Sequence, residues 1–234
     1  MARHDDIRVL AFDIFGTVVD WHGSIVREVQ ALYPQVDADA FALAWRAGYQ
    51  PAMQRVRSGQ QGWTRIDELH RQILDGILPG FALAHLDDEA RRHLNRVWHR
   101  LDPWADSVAG LQRLKTRFLI TTLSNGNIGL LTHMARRAGL PWDCVLSAEV
   151  FRAYKPDPRT YLGVAETFDL APSQVMLVAA HQDDLAAARA CGLATAYIER
   201  PTEFGAAHIK DVSPDPANTL HARDLLHLAD QLGC

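Results

Sequence analysis

The chain has 234 residues, 48% apolar and 22% charged, with a formal net charge of −4; this is the balance of a soluble globular protein with room for one large domain or a core plus a smaller partner. No Lys/Arg cluster offers a field for nucleic acid, no apolar run approaches the roughly 18 residues that span a bilayer, and Cys144, Cys191 and Cys234 are too few and too scattered for a disulfide framework. A cytoplasmic protein with no nucleic-acid or membrane partner is expected, and the opening Met-Ala-Arg-His-Asp-Asp, lacking an apolar stretch, does not read as a signal peptide.

The first element is the apolar run 7–12, a buried strand that ends at Asp13-Ile14-Phe15-Gly16-Thr17. Residues 22–104 then show helical periodicity at 26–32, 38–56, 66–78 and 89–100, with no strand-like run between them. This predicts a mostly helical domain (21–104) inserted into a core made of 1–20 and 105–234. After the insert come a strand at 117–123 ending in Ser124-Asn125-Gly126, a helix at 130–138 and a weaker strand at 144–147. A helix at 158–168, a fully buried strand at 174–180, a helix at 184–191 and a strand at 194–198 follow. Residues 201–218, with three prolines, read as irregular before a last helix at 224–232. Strands alternating with helices in this way predict an α/β fold with a doubly wound parallel sheet.

In such a sheet all the strands open their C-terminal ends on one edge, where ligands bind. Asp13 with Thr17, Ser124-Asn125, Lys155, and the segment from Ala180 through Asp184 fall at such ends. Thr17 is placed to hold the Asp13 carboxylate, Ser124 and Asn125 offer donors to an anion, and Lys155 supplies the charge that keeps Asp13 ionised. Asp184 starts a helix and reads as an N-cap or as an acid/base facing the site. Phe15, two residues after Asp13, can neither donate a proton nor bind a metal, which suggests a carboxylate attacking carbon. The eleven histidines form no HxxxH or HExxH pattern, so no metal site and no cofactor is expected. The tryptophans of the insert read as helical core, some lining an apolar pocket over the site.

The ordered set Asp-x-Phe-Gly-Thr, Ser-Asn-Gly, Tyr-Lys-Pro-Asp and Asp-Leu-Ala-Ala-Ala-Arg-Ala-Cys-Gly resembles the haloacid dehalogenase superfamily over nearly the whole chain. Within it the chain looks like the type II 2-haloacid and haloacetate dehalogenases. Phe15 stands where phosphatases of the superfamily carry an acid, Ala179-Ala180 where they carry Gly-Asp, and Tyr161 follows the lysine by six residues as in the dehalogenase branch. The resemblance implies a Rossmann-like core with a helical cap, and a small 2-halo carboxylate as substrate. Asp13 is then the nucleophile that forms an aspartyl ester, with Thr17, Lys155 and Asp184 as catalytic partners. Arg46, Ser124 and Asn125 match positions that meet halide and substrate, and Ile14, Phe15, Trp21, Tyr161 and His181 complete the candidate pocket. His181 departs from the family's Asn, and Asp183 stands where an aromatic is frequent. A magnesium-dependent phosphatase with a displaced acid is the competing reading, and a carboxylate-binding protein a third. An amphipathic insert helix is compatible with a homodimer.

Overall fold

The computed structural model describes residues 6–234; the expectation about a leader at the N-terminus therefore concerns residues that lie largely outside it. Six strands form one parallel sheet: β1 (Val9–Phe12), β4 (Leu119–Ser124), β5 (Cys144–Ser147), β6 (Val175–Ala179), β7 (Ala194–Ile198) and β8 (Leu220–Ala222), in the order β5-β4-β1-β6-β7-β8. The chain winds outward from β1 to β5, then returns beside β1 and winds the other way. That reversal opens a crevice at the carboxyl end of β1, the strand that precedes Asp13. Its neighbours are in register, with Phe12 opposite Thr122 on one side and Val178 on the other. All four residues of β1 are buried, as expected of a central parallel strand covered on both faces.

A second, two-stranded antiparallel ribbon, β2 (Val19–Asp20) with β3 (Asp102–Pro103), carries the chain out of the core and back. Between its strands lie α1 (Trp21–Leu32), α2 (Ala38–Ala47), α3 (Tyr49–Arg57), α4 (Ile66–Ile77) and α5 (Asp88–Asn95). Asp20 caps α1 through the Gly23 amide at 2.7 Å, and Asp37 and Asp87 cap α2 and α5 in the same way. Trp21, Trp45 and Trp98 are fully buried among these helices, each a large apolar contribution to the core. The core helices are α6 (Ser107–Leu114), α7 (Ile128–Ala138), α8 (Ala148–Phe151), α9 (Pro158–Thr167), α10 (Gln182–Ala190) and α11 (Leu225–Gln231). Among the described residues no helix is long and apolar enough to cross a membrane.

Several elements differ from the sequence expectation for identifiable reasons. The helix expected over 38–56 is two, because Pro51 has no N–H to donate to the Ala47 carbonyl and the ladder restarts at Tyr49. The helix expected over 89–100 tightens to a 3₁₀ turn at Arg96–His99, which buries the consecutive Val97 and Trp98. Short elements such as β2, β3 and α8 lie outside the expected set, and so do two longer-range ones. Helix α6 packs on α11, and β8 is a half-buried edge strand of three residues, too short to leave a period in the sequence.

Candidate active site

Asp13 leaves β1 with its amide bonded to the Val178 carbonyl at 3.0 Å, so the sheet fixes its backbone. Its side chain is held from three directions. Thr17 Oγ1 donates to Oδ2 at 2.8 Å, Lys155 Nζ donates to Oδ1 at 2.9 Å, and His181 Nδ1 lies 3.1 Å from Oδ2. The Ala180 amide donates to Thr17 Oγ1 at 2.9 Å, which directs the Thr17 proton at Asp13. Lys155 also reaches Asp184 Oδ2 at 2.5 Å, and Tyr161 donates its hydroxyl to Asp184 Oδ1 at 2.7 Å. All of these side chains except His181 are buried.

Burial alone raises a carboxyl pKa. At Asp13 the Lys155 ammonium and the His181 ring more than offset it, leaving the acid well below the usual carboxylate range. At Asp184 burial, joined by repulsion from Asp13, outweighs Lys155 and leaves the acid above that range. Lys155 is desolvated, yet the two carboxylates hold it above an ordinary lysine. Two neighbouring acids pushed in opposite directions are the arrangement that divides a nucleophile from an acid/base. The ammonium lies between the two carboxylates, within hydrogen-bond reach of both.

Asp13, Lys155, Tyr161, His181 and Asp184 line a cavity of about 360 Å³, which Arg46, Tyr49, Gln50 and Arg57 reach from the helices between β2 and β3. The Arg46 guanidinium lies 4.3 Å from the centre of the Tyr49 ring and 5.4 Å from that of Trp21. Its Nη1 is buried without a hydrogen-bond partner, a costly state that an anion in the cavity would relieve. Phe15 meets Trp98 edge-on at 5.6 Å and Tyr49 at 6.4 Å, so an apolar ring stands at the second position after Asp13.

A model of haloacid dehalogenase-like hydrolases matches residues 7–192. The chain belongs to that family. Among solved structures, an L-2-haloacid dehalogenase is similar to this haloacid dehalogenase-like hydrolase at 46% identity and a TM-score of 0.92, covering 97% of this chain and 99% of the other. A defluorinating L-2-haloacid dehalogenase is similar at 44% identity and a TM-score of 0.94, with 97% and 96% covered. A (S)-2-haloacid dehalogenase of Pseudomonas sp. (strain CBS-3) is 30% identical over 214 residues, 86% of this chain and 89% of that protein.

Of the residues singled out from the sequence of this hydrolase, Asp13, Phe15, Arg46, Asn125, Lys155, Tyr161, His181 and Asp184 line one cavity. Thr17 lies directly behind Asp13. Asn125 holds the Lys155 loop, its Oδ1 accepting the Lys155 amide at 2.8 Å. Three others stand back from the cavity wall. Ser124 accepts the Gly126 amide, Ile14 is packed in the core, and Trp21 donates its Nε1–H to Glu203 at 3.3 Å. Asp184 is not the cap of α10, which is His181; it sits one turn in and turns its side chain to Lys155 and Tyr161. Tyr49, Gln50 and Arg57 join the lining without a motif that marks them, beside Pro156 of the Tyr-Lys-Pro-Asp motif and Asp183. Arg57 donates to the Lys155 carbonyl at 2.9 Å and so ties the insert to the lysine loop.

Tyr161 stabilises the ionised form of Asp184, so Tyr161→Phe is expected to raise the Asp184 pKa further and shift the acid limb of the kcat profile to higher pH. A hydrogen bond to a charged group is worth about 1.5–3 kcal/mol, so kcat at neutral pH is expected to fall by roughly 10-fold to 100-fold. A pH profile that does not move would remove Asp184 from the rate-limiting proton transfer.

Proposed function

We propose that this chain is a hydrolytic dehalogenase that converts small 2-halo carboxylates, haloacetates and (S)-2-haloacids among them, to 2-hydroxy acids and halide. The observation that carries the reading is Asp13: a buried carboxylate held ionised by Lys155, fixed by Thr17 and His181, in the wall of the cavity. Its Oδ1 attacks C2 in line with the carbon–halogen bond, and Arg46 takes the departing halide or the substrate carboxylate. Halide leaves without a proton, which fits the aromatic Phe15 where an acid would otherwise stand. Holding nucleophile and carbon in line and dry can contribute on the order of 7–11 kcal/mol. Water then attacks the Asp13 ester with Asp184 as its base, a step for which acid/base catalysis contributes about 10²–10⁴-fold.

The same reading divides the molecule into a core of residues 1–20 and 105–234 and a cap of 21–104, with the β2–β3 ribbon at the crossing. It places the protein in the cytoplasm, in keeping with three free cysteines. A homodimer through a cap helix is part of the reading, tested by the particle mass in light scattering. The function itself is tested by incubating the protein with chloroacetate, bromoacetate, fluoroacetate and both 2-chloropropionates and following halide by ion chromatography. Release from chloroacetate and the (S)-propionate, unaffected by EDTA, is the expected result. Folded protein that frees no halide from any of them would overturn it.

A further inference from the structure

Glu203 is fully buried, belongs to none of the motifs and takes no part in the steps above. It lies on the loop after β7, and both its oxygens are engaged. Oε1 lies 2.8 Å from His181 Nε2, and Oε2 accepts from Lys210 Nζ at 2.7 Å. Lys210 is anchored in turn on the Ala180 carbonyl. Gly16, at φ +91°, makes the approach feasible, since a Cβ there would lie 2.2 Å from Glu203 Oε1. His181 thus sits between two carboxylates, with Glu203 at Nε2 and Asp13 at Nδ1. An ionised carboxylate only accepts hydrogen bonds, so both contacts are made only when both ring nitrogens carry protons.

We propose that Glu203 is a positioning residue that keeps His181 doubly protonated, so that His181 Nδ1–H and the Thr17 hydroxyl form an oxyanion hole for hydrolysis of the Asp13 ester. The inference rests on the function proposed above. When Oδ1, on the Lys155 side, bonds to C2 and the carbon–halogen pair leaves with halide, Oδ2 remains as the ester carbonyl oxygen between Thr17 and His181. Water adds to Cγ and gives a proton to Asp184, while the carbonyl π pair moves onto Oδ2, where the two donors meet it. Collapse restores the carbonyl and breaks the Cγ–Oδ1 bond. The departing alkoxide takes the proton from Asp184, and the second water proton is lost as Asp13 ionises again. Oδ1 leaves in the product and the water oxygen stays on Asp13. A doubly protonated His181 cannot be the base, which leaves that part to Asp184.

Burial pulls the His181 pKa down, but the Glu203 charge and the hydrogen bonds to both carboxylates push it up to about 9. The same pairing, with Lys210, lowers Glu203 to about 2 against the effect of its burial. The other charged groups that share the cavity with His181 are Lys155, Arg46 and Arg57, opposed by Asp183 and Asp184.

Glu203→Gln keeps an acceptor for Nε2 and removes the charge. In a quenched single turnover with chloroacetate, halide release is expected to stay near the wild-type rate. The ester on the Asp13 peptide, followed by mass spectrometry, is expected to persist on the order of 10²-fold longer, the loss typical of one oxyanion-hole donor. Steady-state kcat and KM would then fall together. Ester decay at the wild-type rate, or halide release and ester decay slowed by one common factor, would overturn the proposal. The wild-type protein supplies a test that needs no folded Glu203 variant: ¹⁵N-histidine NMR, with His181 assigned by His181→Asn. Both His181 nitrogens are expected to remain protonated at pH 8, and a neutral ring at pH 7 would overturn the proposal. Absence of halide from the wild type would count against the dehalogenase reading, whereas the histidine titration judges Glu203 on its own.

Discussion

Asp13→Asn is expected to reduce halide release on the order of 10⁴–10⁶-fold, the loss typical of removing a covalent nucleophile. The substitution is nearly isosteric, and Thr17, Lys155 and His181 remain around it, so the folded structure is expected to survive. An amide oxygen is a far weaker nucleophile at saturated carbon than a carboxylate, and the charge balance against Lys155 and His181 is lost as well. A stronger check uses the wild type. In a single turnover in H₂¹⁸O, the heavy oxygen is expected in the peptide that carries Asp13, and the product hydroxyl is expected to hold ordinary oxygen from the enzyme. Label in the product of that first turnover would mean that water attacks C2 directly, and Asp13 would then be a base.

Lys155→Met is expected to have the second largest effect, and a different signature. The lysine is buried between Asp13 and Asp184, so its removal leaves two facing carboxylates without their common cation. Breaking a buried ion pair from one side costs about 3–5 kcal/mol, to be read from urea unfolding at neutral pH. In the wild type Asp13 is held below its unfolded pKa. The stability this supplies is present above the ordinary carboxylate range and is lost as the pH falls through the folded value. In the variant His181 still neutralises Asp13, so Asp184 takes up the proton and its pKa rises further. A raised carboxyl supplies stability below its unfolded pKa and loses it as the pH climbs through the folded one. The gap between wild type and variant should therefore widen from pH 5 to pH 8. Turnover is expected to drop by roughly 10²–10⁴-fold, the share of a charged acid/base partner. A constant gap across that range would show that the lysine acts through packing alone.

Strands β1 and β6 were legible because they are fully buried and therefore apolar without interruption. The residues that meet at Asp13 were legible because each directly follows a strand or sits beside a Gly or Pro turn, where sequence patterns are sharp. The insert was harder to read. Its helices show a period, but Pro51 within 38–56 and the 3₁₀ turn at Arg96–His99 interrupt it in ways that periodicity does not register. Arg57 and Tyr49 reach the cavity from helix surfaces, where an arginine or tyrosine looks like any solvated or core residue. Glu203 was the least legible. It lies in a stretch rich in proline and mixed charge, and only the folded chain reveals that this carboxylate is enclosed between Gly16, Trp21, His181 and Lys210. Asp184 was ambiguous between cap and catalyst because both roles place an acid in the first turn of a helix; the direction of its side chain distinguishes them.

The β2–β3 ribbon has a consequence for how such a molecule changes over generations. Arg46 and Tyr49, which line the cavity, are carried on a detour of the chain whose two ends pair over two residues each. Asp13, by contrast, is set by the hydrogen-bond register of the central strands, its amide bonded to the Val178 carbonyl. Drift in the detour can therefore reshape the chamber, for a bulkier halogen or a longer acid, while Asp13 keeps its place in the sheet.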